Sequence, residues 1–161
     1  MVRGIATKPA RIGSDKIYLT KARDFLKGAI MEAEKENWNS AAVLSIHAVI
    51  SACDAICAKF LQLRHGGVDH MQAVELLGSL PFERSEIESK LKQARRIISL
   101  KNAAEYEDRL IKQTEAQEML KDAQRLVEWV ENKPGKVCHD HRVRREAASG
   151  TYRRREFNKY K

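Results

Sequence analysis

Apolar residues recur at helical spacing over residues 14–36. Tyr18, Ala22, Phe25, Leu26, Ala29 and Ala33 form one stripe, and Lys21, Asp24, Lys27 and Glu32 lie off it. Ser14 or Asp15 can cap this first helix. Asn37-Trp38-Asn39 interrupts the pattern, and Asn39 can cap a second helix running to about Arg64. That segment is apolar nearly all round, with Ala41, Val43, Leu44, Ile46, Val49, Ile50, Cys53, Ile56, Phe60 and Leu61, which predicts a central helix ended by Gly66-Gly67. Asp69-x-x-Gln72 forms a capping box for a short third helix ending at Gly78, and Ser85-x-x-Glu88 opens a fourth. Ile87, Leu91, Ala94 and Ile98 share one face of that fourth helix. Thr114-x-x-Gln117 opens a fifth, striped by Ala116, Met119, Leu120, Ala123, Leu126, Val127 and Val130 and stopped by Lys133-Pro134-Gly135. No alternating strand pattern, hairpin dipeptide or internal repeat is visible. The prediction is an all-α bundle of about five helices.

Composition agrees: the chain is 43% hydrophobic but only 6% aromatic, so its core is built from aliphatic and alanine side chains. The net charge of +8 is unevenly placed. Residues 133–161 hold ten Lys/Arg against three Asp/Glu, and residues 1–13 hold three basic residues and no acid. The stretch 14–132 is close to neutral. This divides the chain into a basic N-terminal arm (1–13), a helical bundle (14–132) and a basic, flexible C-terminal tail (133–161). A basic arm on a neutral body predicts a polyanionic partner, with RNA or DNA ahead of a membrane. The three cysteines make no disulfide framework. Cys53 and Cys57 read as small core residues, Cys138 stands alone, and a reducing cytoplasm is expected. The apolar stretches look interrupted before the ~18–20 residues of a membrane span, and no signal peptide is visible.

Several residues carry candidate chemistry. If the fourth helix continues, Lys101 falls on its apolar stripe, three residues after Ile98. The alternative is a helix ending there, with Lys101 complementing its C-terminal dipole. His47, Ser51 and Asp54 share one polar strip of the second helix. It is either that helix's solvent face or the wall of a cleft in which Asp54 polarises His47 as a base. Three groups on one helix face point in parallel, which argues against a Ser/His/Asp hydrolase triad. Arg95-Arg96 reads as a solvated face or as a basic rim extending towards Lys101. Cys138-His139-Asp140-His141 lacks a second spaced ligand pair, so no metal site is assigned. His65 and His70 read as loop residues. Arg142, Arg144, Arg145, Arg153, Arg154 and Arg155, interleaved with Tyr152, Phe157 and Tyr160, have the composition of a nucleic-acid arm or of a partner-binding tail.

The run Ser99-Leu100-Lys101-Asn102-Ala103-Ala104-Glu105-Tyr106 resembles the signature of HEPN domains (higher eukaryotes and prokaryotes nucleotide-binding). One branch carries Arg-Asn-x-Ala-Asp-Tyr, and Lys101–Tyr106 looks like a conservative version of it. Tyr18-Leu19-x-Lys21-Ala22 with Phe25-Leu26 is similar to that family's first helix, and Asn39-Ser40-Ala41-Ala42 through His47-Ala48 to its Ala-rich second. The resemblance covers roughly 14–132 and implies an antiparallel helical bundle, frequent homodimers, and RNA cleavage in toxin–antitoxin or defence systems. Here Lys101 stands for the family's Arg, which keeps the charge and loses the bidentate fork. Tyr106 stands at the His position and is a poor base at neutral pH. The expectation is therefore an HEPN-like nucleic-acid-binding protein, RNA favoured, with a degenerate catalytic motif, no cofactor and no metal. Its binding groups are Lys101, Asn102 and the tail arginines. A homodimer and a protein partner such as an antitoxin are expected, and no membrane. The alternatives are an active metal-independent ribonuclease using Lys101, Tyr106, His47 and Asp54, and a helical adaptor for an acidic protein.

Overall fold

A computed structural model describes residues 5–67 and 69–134 of the chain. Its elements in order are β1 (Thr7–Pro9), α1 (Ser14–Glu34), α2 (Trp38–Leu61), β2 (Leu63–His65), α3 (His70–Glu75), a 3-10 turn (Leu76–Ser79), α4 (Arg84–Ser99), α5 (Lys101–Glu105) and α6 (Gln113–Glu131). The helical stretches fall where the apolar periodicity places them. The short α5 is a further turn that the motif region adds after α4.

The all-round apolar helix is central, as its pattern requires: 15 of the 24 residues of α2 are buried. Three long helices pack on it. Helix α1 runs antiparallel, with Phe25 against His47 and Gly28 against Leu44. A Cβ at Gly28 would lie 3.2 Å from Leu44 Cδ1, so glycine lets the two backbones approach. Helix α6 runs parallel to α2, its start near Asn39 and the residues after its end near Lys59. Helix α4 runs the other way, bringing the α5 region back to the start of α2. The core between them is mainly Ala, Ile, Leu and Val. Among the described residues α2 is also the one helix long and apolar enough to cross a membrane, with a mean hydropathy of 1.8, which corrects the reading of its sequence as interrupted. Within the bundle 72% of that window is buried, and this accounts for its apolarity.

Three local expectations need correction. Helix α2 stops at Leu61 rather than Arg64, because Gln62 takes a left-handed conformation (φ 56°). The chain then leaves as a strand, β2, which pairs antiparallel with β1 in the register Thr7↔His65, Lys8↔Arg64, Pro9↔Leu63. Part of the expected N-terminal arm is therefore bound to the body, and two short strands exist where none was visible; three residues are too few to show alternation. The ribbon continues through Ala10 N–H to Gln62 O and Gly66 N–H to Ala6 O. A Cβ at Gly66 would meet Lys8 Cγ at 2.8 Å, so any larger residue there has to displace the Lys8 side chain.

The caps also differ. Asp69 caps α3 as expected, accepting from Met71 N–H at 2.9 Å. Helix α4 is capped by Glu83 and not Ser85, which instead donates to Glu83. Glu115 reaches back to Lys112 N–H at the start of α6, and α1 starts after a left-handed Gly13 without a side-chain cap.

Candidate functional site

Helix α4 ends at Ser99, whose hydroxyl donates to Arg96 O, and Leu100 is the hinge from which α5 restarts. One turn is enough to set Lys101 and Glu105 four residues apart on one face. Lys101 Nζ donates to Glu105 Oε2 at 2.6 Å, and both side chains are recessed, 17% and 14% exposed. Across from this pair, on α2, His47 Nε2 lies 3.8 Å from the other oxygen, Glu105 Oε1, and is 42% exposed. That oxygen is buried and accepts no hydrogen bond from any described residue. Phe25 of α1 packs on the His47 ring at 5.3 Å. The Lys101 ammonium sits 4.9 Å from the centre of the Tyr106 ring, which is 75% exposed.

Beside the pair opens a cleft of about 310 Å³ lined by Asp69, His70, Met71, Ile98, Ser99, Lys101 and Asn102. Lys101 is thus shared between the cleft wall and the Glu105–His47 cluster. The electrostatics follow. The hydrogen bond to Glu105, with its charge, raises the Lys101 ammonium above its ordinary range. Burial pushes the Glu105 carboxyl up, but hydrogen bonding from Lys101 and Tyr106 and the charges of Lys101 and His47 outweigh it, and the net shift is downward. Burial first, and then the Lys101 charge, push His70 down.

Asn39 holds this region in place. Its Nδ2 donates to Ala104 O at 2.9 Å, and its Oδ1 accepts from Ile111 N–H at 3.2 Å. One side chain at the start of α2 therefore ties both ends of the loop that presents Tyr106. The expected cap role is corrected: Asn37 occupies the N-cap position, and Asn39 lies inside the helix.

Of the predicted residues, Lys101, Asn102, Tyr106 and His47 come together. Lys101 faces the cleft from α5, neither on a continuing α4 stripe nor as a dipole complement. Asp54 does not join His47. Its neighbours are Arg64, the His65 backbone N–H and Lys21, and burial pushes its carboxyl up to about 6 against their opposing pull. The carboxylate that faces His47 is Glu105, because positions seven apart on α2 lie about 10 Å apart along its axis. Arg95 and Arg96 lie on the solvated face of α4, as one of the two readings expected, but neither is a free basic rim because both are paired. Arg95 forks onto Glu75 with two 2.6 Å bonds, and Arg96 holds the buried Asp122. Arg142, Arg144, Arg145, Arg153, Arg154 and Arg155, the interleaved aromatics and Cys138–His141 lie outside the described residues.

Sequence reasoning missed Glu105, His70 and Asn39 as site residues. Glu105 had a visible signal, its i, i+4 spacing from Lys101. His70 and Asn39 had none, since both act across elements distant in sequence.

A comparison with curated proteins found no match. The family model of the HEPN domain matches residues 16–133, which span all of α2 through α6 and nearly all of α1. The match covers well over half of the chain and agrees with its helical bundle: this chain belongs to the HEPN domain family.

Proposed function

We propose that this is a cytoplasmic nucleic-acid-binding HEPN protein, RNA favoured, whose cleft at Lys101 takes a backbone phosphate while the C-terminal arm supplies general affinity. Membership of the family suggests a nucleic-acid-related role. The observation that carries the reading is the recessed Lys101 ammonium on the wall of a polar cleft, beside a largely exposed aromatic ring. A cation with restricted access favours a flexible single strand, whose phosphate can enter and whose base can stack on Tyr106. The arm begins after Lys133, whose carbonyl accepts from Lys59 at 2.5 Å. That point is about 18 Å along α2 from His47. Nine residues of chain, from Lys133 to Arg142, span up to about 30 Å, so arm and cleft can hold one strand together.

A role beside an antitoxin-like protein partner in a two-component system fits this reading, as does a second copy of the chain. An open groove of about 370 Å³ between α1 and α6, floored by Leu26, Ile30 and Val127, is a surface that a second copy could cover. The other reading, metal-independent RNA cleavage, is favoured by one observation: the His47–Glu105 contact puts an acid–base pair beside Lys101. The test is fluorescence anisotropy with single-stranded RNA at fixed salt. Lys101→Ala is expected to weaken binding by about tenfold, the worth of one charge-assisted contact, read well below the melting temperature, which falls because Glu105 loses its cation. Unchanged affinity would remove the cleft from the account. Single-turnover cleavage assays on the same RNA separate binding from catalysis.

A further inference from the structure

We propose that Glu105 is a built-in competitor for the anion that binds Lys101, and that protonated His47 is the group that draws it off. This rests on the reading of the cleft as a phosphate site.

Lys101 is not waiting empty. Its ammonium is already held by a carboxylate at 2.6 Å, and an incoming phosphate meets a neutralised cation. Glu105 cannot simply swing into water, because its side chain is 14% exposed, and a recessed carboxylate without a cation is costly. It does have a second destination. Glu105 Oε1 is buried without a hydrogen-bond partner, and it faces His47 Nε2 at 3.8 Å. A modest rotation of the carboxylate brings that pair to hydrogen-bond distance. With neutral His47, Glu105 stays on Lys101. With imidazolium at His47, the carboxylate charge is met from α2, and Lys101 turns to the phosphate.

The groups around His47 permit this transfer. From α5 it is faced by Glu105, with Lys101 one ion pair further on. From α3 it is faced by His70, and from α1 by the uncharged Phe25 ring. Burial and then the Lys101 charge push His70 down, which disfavours a second imidazolium beside His47. The half-exposed His47 can exchange its proton with solvent. Anion binding at Lys101 is therefore linked to the uptake of one proton.

The test uses the full chain and a fluorescent 2′-O-methyl single-stranded oligonucleotide with hydroxyl ends. Its phosphodiesters do not titrate in the range, and it cannot be cleaved through a 2′-hydroxyl. Anisotropy is read from about pH 8 down to about pH 5.5 at constant ionic strength. Wild-type affinity should rise as pH falls, by up to about tenfold per unit where one proton is taken up. Glu105→Gln should bind several-fold more tightly than wild type at the alkaline end and lose most of the rise. His47→Gln should lose the same part of the rise, read as the ratio of its own affinities at the two ends of the range, whereas His70→Gln, read the same way, should keep it. The tail histidines are common to every variant and drop out of the comparison. If Glu105→Gln binds no better than wild type at the alkaline end, or the full rise survives in His47→Gln, the competitor idea is wrong. Lys101→Ala separates the two levels. If it leaves affinity unchanged, the cleft reading itself fails. If it weakens binding while Glu105→Gln brings no gain, only the competitor fails.

Discussion

Replacing Asn39 distinguishes the structure from the sequence reading more sharply than any other single change. As an N-cap, Asn39 would tolerate Asp or Ser nearly without loss, and Ala would cost about 1 kcal/mol. As the clamp seen here, it makes two bonds that a cap does not, to Ala104 O and from Ile111 N–H. Ala104 and Ile111 are both buried, so water does not readily replace the lost partner. Leaving each group unpaired costs about 1–3 kcal/mol, which puts Asn39→Ala at roughly 2–4 kcal/mol allowing for partial relaxation. For a domain of this size that corresponds to a fall in melting temperature of roughly 5–15 °C. Asn39→Asp keeps the acceptor but loses the donor and sets a carboxylate against a carbonyl oxygen, so it should cost about as much as Ala. Urea denaturation followed by circular dichroism measures both. If Asn39→Asp lies within about 0.5 kcal/mol of wild type, the clamp does not hold the loop and the cap reading returns.

Other perturbations test other parts of the fold. The Asp54 carboxyl is held at about 6, above its ordinary 3.8, so the folded state keeps this proton better than the unfolded state. Its contribution is most favourable below the ordinary value and is lost as pH rises through about 6. Asp54→Asn should therefore stabilise the protein by roughly 2–3 kcal/mol at neutral pH, with the difference from wild type disappearing towards pH 4; urea titrations at the two pH values check it, and no neutral-pH gain would contradict it. Arg96→Ala strands Asp122, which is 2% exposed; because Arg96 itself is 55% exposed, the cost should be about 1–3 kcal/mol rather than that of a fully buried pair. Arg95→Ala removes an exposed pair with Glu75 and should cost less than about 1 kcal/mol, so equal urea midpoints for the two variants would refute the distinction. Truncation after Gly135 should leave the melting temperature within a few degrees while weakening RNA binding and flattening its salt dependence; equal binding by the truncated chain would exclude the arm.

The helical stretches were legible because their signal is local. A stripe such as Ala116, Met119, Ala123, Leu126, Val127 and Val130 states both the helix and its buried face. The all-round apolarity of α2 likewise announced its central place. What stayed hidden depends on partners distant in sequence. Leu63–His65 becomes a strand only because Thr7–Pro9 lies beside it, more than fifty residues earlier. Asn39 carries a good cap composition, and nothing local shows that its amide will reach residues 104 and 111. Asp54 was joined to His47 by helical phase alone, which fixes the face of a side chain but not what α1 and β2 bring against it. Glu105 is legible in the sequence, since its i, i+4 spacing from Lys101 on one helical face states the ion pair.

The central claim is that RNA enters the cleft at Lys101 as well as meeting the arm. Photocrosslinking answers it directly. Full-length protein is bound to single-stranded RNA carrying 4-thiouridine, irradiated, digested, and the joined peptides are read by mass spectrometry. Crosslinks are expected at Tyr106, the largely exposed ring beside Lys101, together with crosslinks between residues 142 and 155, and the Tyr106 crosslink should be lost in Lys101→Ala. Crosslinks confined to the arm, or placed in the groove between α1 and α6 with none at Tyr106, would contradict it.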